Sequence, residues 1–345
     1  MPEVAPYRAR SAVALFIAGC AVLFAAWKNA PIEPPPPSPA EVAEYYQKNV
    51  ASLIEAAARR DREATGVAIQ RLHEHFQSFH AGIPAFADDI TGWGTRFGIV
   101  GRSVKDLWSK FWEDSSKATA TKEYVNTKFR VHIVSEEKLR HAVADTLSVF
   151  HESTTANRNR MLAEVRLAFS MPESPMKVMP PGFNGLLSEP RVAAGELAST
   201  QGGASVANGV ASFAGGTVAG EAAARLISAI FARLAASTAA TIAAEGSAAA
   251  GATATGGTVG TAGGPAGTVI GIGVGLVVGF IMDSWMSESF KTKLHEQCGS
   301  FLTNLERDII HGTTATPGLQ KTLEDAASAN HSAFRTALER EPTLP

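Results

Sequence analysis

His73, Glu74, His75 and His80 fall within one short stretch, HEHFQSFH. Imidazole and carboxylate are the donors that bind zinc or move protons near neutral pH. Helical geometry puts His73 and His80 on one face and His75 on another, so a complete metal site would need ligands from a second segment. The plainer reading is a solvated or partly buried histidine face. Asp88 and Asp89, in FADDITGWGTRFGIVG, could be imagined as an acid/base pair. Adjacent helical residues diverge by about 100 degrees, and Asp followed by Thr91 suits a helix N-terminus, so a capping role is expected.

No phosphate-binding GxxxxGK[ST] loop, no GxGxxG after a strand, no GxSxG elbow, no HExxH and no paired CxxC occurs. The expectation is a protein that is not an enzyme, without catalytic, cofactor-binding or metal-binding residues. Cys20 and Cys298 cannot build a disulfide framework, and Cys298 reads as a small buried hydrophobe. A net charge of -2, with acids and bases interleaved, gives no field to draw in nucleic acid.

The elements that would position any of these groups are helical. From Ala266 to Met282 the chain reads AGTVIGIGVGLVVGFIM, without one charged side chain. Gly267, Gly271, Gly275 and Gly279 recur every four residues along it and trace one slowly winding groove on a helix. A groove of glycines lets a second backbone approach closely. Bulk at Gly271 or Gly275 should therefore harm packing more than bulk at Val274 or Val278. These four glycines resemble the glycine-zipper membrane segments of bacterial envelope proteins, a class that includes oligomerising and pore-forming helices. The resemblance covers this segment alone and implies helix packing or self-association in contact with a lipid bilayer. The competing reading is a soluble helix packed tightly on a neighbour, such as the Ala-rich stretch from Val206 to Ala244.

A second apolar run, Ser11 to Trp27, follows Arg8 and Arg10 and ends at Trp27 and Lys28, as a membrane anchor with a cytoplasmic N-terminus would. Ile17, Ala18, Gly19 and Cys20 also resemble a lipobox, but apolar residues continue well past the cysteine, which favours an uncleaved signal-anchor. Trp27 and Trp285 close the two apolar runs as interfacial anchors. On this reading the chain sits in the inner cell membrane with most of its length on the periplasmic side. Its partners are the bilayer and either a second copy or a membrane protein, with no nucleic acid.

The fold expected is all-α: an N-terminal transmembrane anchor, a long-helix hairpin or coiled-coil-like bundle, and a small-residue glycine-zipper helix. Residues 1–10 form the N-terminus, 11–27 the anchor and 28–39 a proline-rich linker. Ser38, Pro39 and Glu41 spell a capping box that opens the helical domain, 40–170. Its first helix carries Val50, Leu53, Ala57, Ala64, Ala68, Leu72, Phe76 and Phe79 at helical spacing and should end near Gly82 and Pro84, with Arg59, Arg60 and Arg62 on the solvated side. A second helix is expected through Trp93, Phe97, Val104 and Phe111, and a third, whole or broken, from Val125 to Phe169. Residues 171–203 read as a Pro/Gly-rich connector. Residues 204–311 hold the small-residue region, the zipper helix over 265–282 and an amphipathic extension of it through Trp285, Leu294, Leu305 and Ile309. A short helix and tail complete the chain over 312–345.

Overall fold

The computed structural model describes residues 38–96, 115–175, 228, 230–232, 264–284, 289–313 and 316–339. The expected anchor 11–27 with Trp27 and Cys20, the aromatic positions from Phe97 to Trp112, and Trp285 lie outside them.

Among the described residues the fold is all-α apart from one two-residue strand pairing. Helix α1, Pro39–Tyr45, begins at the expected capping box: the Ser38 Oγ accepts from the Glu41 N–H at 3.3 Å, and Glu41 Oε2 accepts from the Ser38 N–H at 2.8 Å. One widened turn, Tyr46–Val50, leads into α2, Ala51–Ala81. Helix α3, Ile83–Arg96, starts directly after Gly82. Helices α4, Ser115–His132, and α5, Glu136–Ser170, are the long third pattern broken once, where Ser135 accepts from the Lys138 N–H at 3.2 Å and caps α5.

Helices α2 and α5 form the long hairpin. Contacts that bridge them run in opposite chain order: Arg60 to Glu164 at 3.0 Å, Asn157 to Asp61 at 3.0 Å, and both Arg71 and His75 to Asp145 at 2.6 and 2.8 Å. Between these polar rungs the two apolar stripes meet as Ala68, Leu72 and Phe76 against Leu139, Val143, Leu147 and Phe150. Arg60 thus departs from the solvated side expected of it, because the partner helix brings Glu164 within bidentate reach.

Two expectations about the next segments are corrected. Asp88 and Asp89 do not cap a helix. Pro84 stands in the first turn of α3, where proline is tolerated, so the residues that end α2 also start α3 and leave both aspartates in its interior. Among the described residues the buried stripe of α3 is Ile83, Phe86, Ala87 and Ile90. Thr91 instead donates back to the Ala87 carbonyl at 2.8 Å.

The second correction concerns the glycine helix. Helix α6, Gly264–Ser284, and helix α7, Phe290–His311, are not one continuous rod. In a continuous helix Gly273 and Phe301 would be about 42 Å apart. They are in contact, and the Phe280 and Phe290 rings stack at 5.7 Å, so α6 and α7 fold back on each other as an antiparallel hairpin. The Gly312–Thr313 and Thr316–Pro317 strands then reverse the chain, with Gly312 at φ 82, into α8, Leu319–Glu339. One apolar core runs through α2 to α8, and a smaller cluster of Val50, Ile54, Met161, Leu162 and Phe169 closes the far end of the α2–α5 hairpin.

Candidate packing site at the glycine helix

Helix α6 is apolar nearly all round, and a helix of that kind must be enclosed. Val269, Ile270, Ile272, Val274, Val277, Val278 and Ile281 are all buried, and Leu276, 37% exposed, is its open position. Of the four zipper glycines Gly267, Gly271 and Gly275 are buried and Gly279 is half-buried. The enclosure comes from α4, α5 and α7. Val274 and Val278 are buried as well.

A close contact lies at Gly273, between two positions of the four-residue stripe. A β-carbon on Gly273 would come within 2.5 Å of Phe301 Cζ, and the Phe301 ring meets the Phe129 ring edge to face at 6.0 Å. Gly273 is therefore the seat on which α7 packs, with α4 behind the ring. Its signal in the sequence was a glycine between two isoleucine- and valine-flanked zipper positions, but spacing alone cannot say which glycine meets an aromatic ring.

Polar contacts hold α7 at both ends. Lys291 pairs with Asp88 of α3, and His73 Nδ1 of α2 lies 2.7 Å from Glu306 Oε1. Asp89 receives Lys128 at 2.6 Å and His132 Nε2 at 2.9 Å, both from α4. These pairs engage His73, Asp88 and Asp89 of the groups singled out in the sequence. His73 turns to α7 and His75 to α5, where it also meets the His141 ring edge-on at 5.8 Å. His73 and His75 therefore do not converge, and among the described residues no group of three His, Cys, Asp or Glu side chains could hold a metal ion. Cys298 is fully buried on α7, as expected, and burial pushes its thiol up to about 12, which leaves little thiolate for redox or nucleophilic chemistry.

Burial holds His80 and His331 below the ordinary histidine value of 6.5. Hydrogen bonds from Lys128 and His132 lower the Asp89 carboxyl, those from His75 and Arg71 lower Asp145, and those from Arg60 and Arg160 lower Glu164. The unfolded chain takes up protons first in both groups, so acid should destabilise the fold in two steps. The histidine contribution is present above pH 6.5 and is lost as pH falls below it. The carboxylate contribution is lost as pH falls through 4.5 to 3.8 and below, with Asp61, raised by burial, opposing it. Denaturation midpoints measured at falling pH should show the upper step, and His80→Gln should shrink it. Equal midpoints on either side of pH 6.5 would contradict this assignment.

No family model matches the chain, and neither a curated protein nor a solved structure matches it. Among the described residues no helix is long and apolar enough to cross a membrane.

Proposed function

We propose that this chain is a non-enzymatic helical protein of the bacterial envelope, tethered to the inner membrane through residues 11–27, with most of its length periplasmic. The glycine helix acts in it as a packing element within the chain. The observation that supports this reading is the seat of Phe301 on Gly273, which gives α6 a neighbour from its own chain in place of lipid. In lipid, small residues serve close helix approach because apolar surface gains nothing by being hidden. In this fold the same small residues let α7 and α4 close over α6 and bury it.

Reporter fusions after Lys28, Pro172 and Pro317 test the arrangement. All three are expected to report the same, outer side, since α6 does not cross the bilayer on this reading. A switch of side between Pro172 and Pro317 would return α6 to a membrane-spanning role.

A second reading is favoured by one feature: α6 and α7 are an antiparallel hairpin whose first arm is apolar and enclosed by neighbouring helices. A hairpin of that design can leave the bundle and enter a bilayer as a pore-forming element. Dye release from anionic liposomes on addition of the purified chain distinguishes it from a passive packing element. A third reading, a metal-dependent enzyme at His73, would require His73 and His75 to abandon partners on two different helices.

A further inference from the structure

One face of α2, from Arg62 through Gly66, Ile69 and Gln70, looks across at the corner where α7 ends and α8 begins, and a cleft of about 460 Å³ lies between them. That volume suits a small molecule. We propose that this cleft binds a short aliphatic carboxylate, with the anion on Arg62 and the hydrocarbon body over Ile69 and Ile310.

Arg62 makes no ion pair or hydrogen bond with any described residue, whereas its neighbours on α2 are engaged, Arg60 with Glu164 and Arg71 with Asp145. A guanidinium presents a fork of N–H donors that matches a carboxylate. The one carboxylate lining the cleft, Glu324, already accepts from Gln320 Nε2 at 3.0 Å, and His73 is turned to Glu306. The cation left for a ligand is Arg62, at one end of the α2 face, with the amide of Gln70 and the imidazole of His311 toward the other as further polar groups. Ile69 and Ile310 supply apolar surface between them. Inorganic phosphate would satisfy the cation and leave that surface unused.

Gly66 keeps the floor open. It lies inside the 31-residue helix, its φ is not in the left-handed region, and no atom lies within 4 Å of where its β-carbon would be. Glycine is among the least favourable residues of a helix interior, and here neither backbone conformation nor a close neighbour calls for it. Open space alone says little, since Gly92 and Gly299 have it too. At Gly66 it coincides with the cleft beside Arg62, and a side chain there would intrude on a ligand lying between Arg62 and Gln70.

Calorimetric titration of the full chain with adipate and hexanoate, with inorganic phosphate and hexylamine for comparison, tests the site. At least one of the two carboxylates should bind saturably, and more tightly than phosphate or hexylamine. Arg62→Gln, a surface change, should weaken that binding about tenfold or more, the loss of one charge-assisted pair. Gly66→Ala should raise the melting temperature while weakening the carboxylate, and Gly66→Leu should abolish binding. Failure of both carboxylates to bind, phosphate or hexylamine binding as well as they do, or affinity unchanged in both Arg62→Gln and Gly66→Leu would overturn the proposal.

Discussion

Gly273→Val is expected to destabilise the full chain by about 3 kcal/mol, within the range for overpacking a filled interior. A β-carbon at this position already meets three atoms of the Phe301 ring at 2.5 to 2.9 Å, and a valine adds two methyl groups beyond it. Phe129 stands against the ring, and Phe129 in turn is fully buried edge-on to Phe86 at 5.8 Å. The expected loss is that of α7 shifting from α6, which strains the Lys291–Asp88 and His73–Glu306 pairs at its two ends. Leu276→Ala, at the open position of the same helix, should cost much less, about 1 kcal/mol, because a third of that side chain is already in solvent. Chemical denaturation of the two variants beside the parent makes the comparison. Equal losses would show that α6 is not seated through Gly273.

A β-carbon at Gly82 would overlap the carbonyl oxygen of His132, so Gly82→Ala should cost about 2 to 4 kcal/mol although it adds a single methyl group. The obstacle is backbone, which cannot rotate away as a side chain can. At this point the bend between α2 and α3 touches the last turn of α4, whose His132 ring is held by Asp89 of α3. Moving the carbonyl means moving the end of α4 and loosening that contact. Gly299→Ala is the matched control: it lies within α7 with open space around it, and alanine there should stabilise by about 0.5 to 1 kcal/mol. Opposite signs for the two substitutions, read from denaturation midpoints, are the expected result, and a neutral Gly82→Ala would mean that the α2–α3 bend and α4 do not meet as described.

Local signals carried the helices into the sequence in legible form. Ser38, Pro39 and Glu41 act within one turn, so the capping box needs no partner and appears as read. The stripes of α2 and α5 recur every three or four residues, and two long stripes of that kind can bury themselves only against apolar surface, which made the hairpin of α2 and α5 readable as well. The break between α4 and α5 was open in the sequence and fell at Ser135, a residue that caps by itself. Cys298 was readable as buried for the same reason, its place on the apolar stripe of α7.

The partners of polar side chains were decided only by tertiary structure. Asp88 and Asp89 looked like caps because Asp followed by Thr91 suits a helix N-terminus; α3 has already begun at Ile83, and the two aspartates meet Lys291 and Lys128, far along the sequence. His73 and His75 stand two residues apart and reach different helices, since neighbouring helical positions diverge and each takes the carboxylate that the fold brings nearest. The glycines of α6 announced close packing through their spacing, but spacing is a property of one helix and a contact belongs to two. That Gly273 receives Phe301, and that α6 and α7 fold back on each other, where the sequence left a continuous helix open, depend on contacts between helices that no local pattern encodes.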